Sequence, residues 1–161
     1  AFLRQGYPIL ADDISAVYFS GHGQPTVAPE LGRLKLWAHA LAHFDIEAEA
    51  LDRLRPEIEK YSYPLDDSFV TQPAPLHTVY LLHLHNKRAI DIGPVEGMEL
   101  FSSLRHSIYR SECLSSASLS AGWFQGLSRL AQSTRVRRIR FPHDLSRLQE
   151  LIERIEQDFP L

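Results

Sequence analysis

The sequence predicts an α/β fold, a mixed sheet flanked by helices in one domain over residues 1–161, and three observations carry that reading. The run Tyr7-Pro8-Ile9-Leu10-Ala11 is apolar without alternation, as in strands buried on both faces of a parallel sheet. Residues 78–85 give the clearest strand signal in the chain. Leu145, Leu148, Leu151, Ile152 and Ile155 recur at helical spacing near the end. With 161 residues, the chain buries roughly two-thirds of its unfolded surface and needs no disulfide or metal staple.

In chain order, Phe2-Leu3-Arg4-Gln5-Gly6 reads as the last turn of a helix closed by a C-terminal glycine. The apolar strand 7–11 follows and ends in Asp12-Asp13. Residues 14–19 continue as strand, the glycines of 20–25 mark a turn, and 26–28 return until Pro29. Leu34, Leu36, Trp37, Ala40, Leu41 and Phe44 predict a helix over 34–44. Ala48, Leu51 and Leu54 predict another from residue 45, broken at Pro56. Residues 60–65 read as a strand or edge segment, 66–75 as a loop, and 89–92 as the partner strand of 78–85. A helix is expected over 94–105, opened by Pro94, and a second over 116–130. Residues 136–141 form a strand, and the last helix runs over 144–158.

Composition excludes several classes of protein. Hydrophobic residues at 44% and charged residues at 23% are globular values, not those of a disordered or fibrous chain. A net charge of −3 points to neither nucleic acid nor an anionic membrane surface. The single cysteine, Cys113, excludes an internal disulfide and a multi-cysteine zinc site. No apolar run reaches the roughly 18 residues of a membrane span, and no signal peptide is visible, so a reducing, cytoplasmic setting is expected. The chain opens on Ala1 in what reads as a helix end and has one methionine, Met98, so a segment upstream of Ala1 is expected.

The sharpest chemical candidate is the pair Asp12-Asp13. A buried strand ending in two carboxylates delivers them to the C-terminal edge of a sheet, where α/β proteins keep their ligands. There one carboxylate suits Mg²⁺ and another accepts a proton from an attacking hydroxyl; the bland alternative is a strand end turning into solvent. No GxxxxGK[ST] loop accompanies the pair, and Lys35, Lys60 and Lys87 follow no glycine-rich loop. His39 and His43 share a predicted helix face near Asp45, and His77, His83 and His85 share a strand face. Either group offers two metal ligands but no third at fixed spacing, and surface histidines are the simpler account. Arg135, Arg137, Arg138 and Arg140 place two guanidiniums on each face of one strand. They offer a grip for phosphates or an acidic partner, but the simpler account is a charged, solvated edge strand offset by Glu150, Glu153 and Glu156. Cys113 has no activating neighbour, since Glu112 raises a thiol pKa and His106 is not adjacent in sequence.

The order of segments is itself informative. GYPILADDISAV, RLKLW, RPEIEKYSYPL, GPVEGMELFSSLRHSIYR and FPHDLSRLQELI succeed one another over nearly the whole chain. This succession resembles the HPr-kinase-like family, serine-kinase-related P-loop proteins whose nucleotide fold is akin to phosphoenolpyruvate carboxykinase. The resemblance implies such a fold without its N-terminal strand and phosphate loop, acting with ATP and Mg²⁺. It implies catalytic roles for Asp12 and Asp13: Asp12 takes the proton of an acceptor serine, and Asp13 helps hold Mg²⁺ near the phosphates. Lys60 falls in a shared segment without an assigned role, and Arg105 and Arg110 lie at a helix end expected on the phosphate side. A protein or peptide acceptor of phosphate is the implied partner. The glycine-rich loop, its lysine and its serine are absent from the chain as given, so ATP binding and phosphate transfer are expected to be weak.

Three function classes follow. The first is the C-terminal majority of an ATP-dependent kinase domain, which requires an upstream phosphate loop. The second is a non-catalytic partner- or peptide-binding module derived from a P-loop fold. Its exposed sheet edge would be covered by self-association into a homo-oligomer or by a partner. The third is a metal-dependent hydrolase built on the histidines.

Overall fold

The computed structural model describes residues 1–110 and 117–159; Glu112 and Cys113 lie outside the described residues. The architecture is mixed α/β, with three small sheets and helices. The chain divides into two compact units, Ala1–Tyr18 with Thr26–Ala74, and Phe19–Pro25 with Pro75–Leu161.

The first unit opens with a 3-10 turn, Phe2–Gln5, closed by Gly6 at φ 85°, where glycine supplies the left-handed conformation at least cost. Residues 7–11 are not the buried strand expected. Pro8 removes a backbone donor, and the run pairs with another segment as an isolated parallel bridge of Ile9 with Phe69, while Leu10 O accepts from Glu30 N–H at 3.0 Å. Ile9 N–H donates to Ser68 O and Val70 N–H to Ile9 O, both at 2.8 Å. The next strand is shorter than expected: β1 (Val17–Phe19) turns back into β2 (Pro25–Val27).

The helix expected over 34–44 is half strand. Arg33–Trp37 form β3, and only Ala38–His43 are helical, as α1. Leu34 and Leu36 alternate with Lys35 and Trp37, a period of two that long-range pairing rewards. The helix expected from residue 45 is also corrected: Ala48–Ala50 make a 3-10 turn and Asp52–Arg55 form β4. Strand β5 (Ile58–Pro64) runs antiparallel between β3 and β4 and is therefore the central strand of its sheet, not an edge. Leu41 and Leu65, 0% and 3% exposed, anchor this unit's apolar packing. Beyond a 3-10 turn at Asp66–Ser68, β6 (Ala74–Pro75) completes a small sheet in the order β1-β2-β6.

In the second unit, β7 (Thr78–His85), β8 (Asp91–Pro94) and β9 (Arg135–Pro142) form a sheet in the order β7-β9-β8. Strand β9 is parallel to β7 and antiparallel to β8, so β7 and β8 are not the neighbours that sequence proximity suggests. Pro94 ends β8 opposite Arg137 instead of opening a helix, and α2 begins at Gly97 and runs to His106. Helix α3 covers Ala117–Ser133; after a 3-10 turn at Leu145–Arg147, α4 covers Leu148–Asp158. Helices cover both faces of the sheet. Ile139 and Phe141 pack with Ile90 and with Leu148, Leu151 and Ile155 of α4. Val136, on the opposite face of β9, packs with Leu104 of α2 and Leu127 of α3. Among the described residues, no helix is long and apolar enough to cross a membrane.

The arginine-rich segment is therefore the middle strand, not a solvated edge, and its charges are met from both faces. Arg137 Nε donates to Asp158 Oδ2 at 3.1 Å, and Arg135 Nη1 donates to Asp158 O at 2.6 Å. The Tyr80 hydroxyl donates to the same Oδ2 at 3.0 Å. On the other face Arg138 Nη1 donates to Glu99 Oε1 of α2 at 2.7 Å. Glu150, expected to offset these arginines, pairs with Arg147 and Arg154 instead. Burial raises the Asp158 carboxyl, but the hydrogen bonds from Arg137 and Tyr80 outweigh it and hold it below the usual carboxylate range. Burial, then the bond to Asp158, pushes Tyr80 up to about 12. Asp158→Asn is expected to cost roughly 2–4 kcal/mol in chemical denaturation, between the values of exposed and fully buried pairs. A loss under about 0.5 kcal/mol, typical of an ordinary surface substitution, would show that the arginines do not depend on it.

Candidate functional site

Asp12 and Asp13 lie in the first unit, after the irregular segment 7–11, and not at the end of a sheet strand. What surrounds them comes from β3 and β5. In the antiparallel register, Lys35 pairs with Ser62 and Trp37 with Lys60, so Lys35, Trp37 and Lys60 share one sheet face. Leu34 and Leu36 face the other way, opposite Tyr63 and Tyr61. That alternation delivers two ammonium groups to the carboxylate pair.

Lys35 is held twice. Its backbone N–H donates to Asp12 Oδ2 at 2.8 Å, and its Nζ lies 3.9 Å from the same oxygen and 3.4 Å from Asp13 Oδ2. Lys60 Nζ donates to Asp13 Oδ2 at 3.2 Å and sits 5.6 Å from the centre of the Trp37 ring, a cation–π distance. Glu30 Oε2 accepts from Asp12 N–H at 3.3 Å. The two aspartates differ in access: the Asp12 side chain is 15% exposed and that of Asp13 48%. Burial raises Asp13, but hydrogen bonds from Lys60 and Lys35, with their charges, outweigh it and hold the carboxyl below its usual 3.8.

As a donor set for Mg²⁺, the pair is incomplete alone. Among the described residues, no three His, Cys, Asp or Glu side chains gather in a metal-holding group. The ammonium groups of Lys35 and Lys60 also stand beside the Asp13 oxygen. Mg²⁺ typically takes one or two carboxylates and completes its shell with phosphate oxygens and water, so the pair would need further donors to hold the ion.

The other candidates stand elsewhere. His39 and His43 are exposed on α1, and His43 meets the Phe44 ring edge-on at 4.9 Å. In the second unit, His77 packs against Phe159 at 4.8 Å. His83, His106 and Arg138 line a cleft of about 460 Å³ between β7, β9 and α2. His106 Nδ1 donates to Ser102 O at 2.6 Å, and Ser102 and Ser107 turn their hydroxyls to α2 carbonyls. Arg105 is exposed within α2, and the Arg110 guanidinium lies 5.2 Å from the Tyr109 ring. Sequence reasoning names Lys35 only as a lysine outside any glycine-rich loop; its place beside Asp12 and Asp13 follows from the period-two pattern of Arg33–Trp37.

Comparison of the chain with protein-family models, with curated proteins and with solved structures returned no match in any of the three.

A carboxyl depressed by folding stabilises the fold above its unfolded value and loses that contribution as pH falls through the folded one. Wild type is thus expected to lose stability on acidification below about pH 4, and Asp13→Asn to lose less over the same interval. Because Asp13 is half exposed, the difference should stay below about 1 kcal/mol; thermal melts from pH 6 to 2 measure it. Parallel curves for the two proteins would remove Asp13 from the acid response.

Proposed function

We propose that the chain is the acid–base portion of an HPr-kinase-like, ATP-dependent phosphotransferase, with a P-loop nucleotide fold akin to phosphoenolpyruvate carboxykinase. One observation carries this reading. The segments on which the resemblance rests, ADD, RLKLW and EK, are distant in sequence and meet in one cluster: Asp12 and Asp13, Lys35, and Lys60. Asp12, mostly shielded, is the proton acceptor for a serine hydroxyl of a protein or peptide. Asp13, the more open carboxylate, faces the metal–phosphate side, and Lys35 and Lys60 balance the pair's charge until phosphates arrive. Bound Mg²⁺–ATP would supply the transferable phosphoryl group and its charge neutralisation.

A second reading, a partner-binding module that has lost phosphoryl transfer, draws on a different observation. Strand β7 is an edge strand that exposes Leu82 and Leu84 at 58% and 48%, an apolar row beside unpaired backbone. On this reading the lysine–aspartate cluster is a self-neutralised clamp.

Thermal-shift titration with ATP, GTP and pyrophosphate, each with and without Mg²⁺, separates the two. The phosphotransferase reading expects a Mg²⁺-dependent stabilisation of roughly 2.7 kcal/mol at a hundredfold excess over Kd, abolished in Asp12→Asn and Asp13→Asn. No Mg²⁺-dependent shift, with both variants as stable as wild type, would overturn it in favour of the binding module.

A further inference from the structure

The parallel pair β7 and β9 ends at His85 and Pro142, and the residues at and beyond those ends line an open, solvent-facing cavity of about 620 Å³. Ligand sites in parallel α/β sheets gather outside the carboxyl ends of strands, and this volume lies within the usual range for small-molecule pockets. Lys87, Arg88, His143 and Arg147 line it, with Asp144 as the one carboxylate.

The partners of these groups decide what the cavity offers. Asp144 Oδ1 accepts from Ser146 N–H at 3.0 Å and Ser146 Oγ–H at 2.6 Å, which employs it as a cap for the turn before α4. Arg147 is bound to Glu150 and also donates to the carbonyl oxygen of Arg88, which ties the loop after β7 to the start of α4. His85 Nδ1 accepts from Lys87 N–H at 2.9 Å, so its Nε2 carries the ring proton and is a donor. Among the described residues, the side chains of Lys87, Arg88 and His143 have no hydrogen-bond, ion-pair or ring partner, and all three are exposed. The cavity thus holds a surplus of cations, with donors on an anchored loop.

We propose that this cavity binds the phosphate group of a small phosphorylated metabolite, gripped by Lys87 and Arg88 with His85 and His143 as further donors. A dianionic phosphate matches a point-charge lysine beside a forked guanidinium better than a single carboxylate does. The site is separate from the Asp12–Asp13 cluster and needs no Mg²⁺.

The test is isothermal titration of the chain, without divalent metal, using inorganic phosphate, glycerol 3-phosphate and acetate. A saturable site for glycerol 3-phosphate is expected, with acetate at least tenfold weaker. Inorganic phosphate matching glycerol 3-phosphate would assign the site to the free ion and overturn the metabolite. The double variant Lys87→Gln/Arg88→Gln, confined to exposed loop positions, should lose at least tenfold in affinity with an unchanged melting temperature. Asp12→Asn should bind as wild type, which keeps this outcome distinct from that of the phosphotransferase reading. Unchanged binding in the double variant, or no saturable binding to wild type, would overturn the proposal.

Discussion

The second unit depends on how β9 is neutralised. A central strand normally carries apolar residues on both faces, because both are covered. Strand β9 instead carries Arg135 and Arg137 toward one helical layer and Arg138 toward the other. An unpaired guanidinium beneath a helix would cost more than the surrounding apolar packing returns. Asp158, at the end of α4, answers the first pair, and Glu99, in the first turn of α2, answers Arg138. Each helix is thus positioned by a carboxylate as well as by leucines and isoleucines. Tyr80 joins the Asp158 end from β7, so one aspartate links β7, β9 and α4.

The same constraint explains what the sequence made legible. The last helix, β7 and the segment of β9 are readable because local spacing and tertiary burial agree, as at Leu148, Leu151 and Ile155. The segments 34–37 and 51–54 are not, because their leucines fit a helical wheel as well as they fit alternation. Only the partner, β5, breaks the tie. Strand order was hidden for a related reason. Nothing near residues 78–94 announces that β9, more than forty residues later, enters between β7 and β8. The charge of β9 pointed the wrong way, since arginines suggest an edge unless their acidic partners, Asp158 and Glu99, are known.

The acidic pair shows a similar division. Its residue types marked a place where charge gathers, and charge does gather there. The supposed context, a buried strand delivering carboxylates to a sheet edge, is absent, and β3 and β5 bring lysines to the pair instead. Adjacent aspartates repel, and the two ammonium groups offset that repulsion while the Lys35 backbone N–H fixes one carboxylate. A cluster so balanced has its carboxylates and ammonium groups paired within itself.

The carboxyl ends of parallel strands, where the sequence reading places Asp12 and Asp13, lie instead at β7 and β9, and the phosphate site proposed above rests on that end. The residues beyond β7 and β9, Asn86-Lys87-Arg88 and His143-Asp144, contain no glycine-rich loop, so backbone amides are not the obvious cradle there. Side-chain cations take that place, and the Arg147 bond to the Arg88 carbonyl supplies the fixed geometry that a tight glycine turn gives elsewhere. Charge on side chains is more adaptable and less exact than a ring of amides. It suits binding of a phosphate more than transfer of one. The two clusters thus differ in kind: one, in the second unit, is a surplus of side-chain cations, and the other, in the first, is a pair of carboxylates met by two lysines.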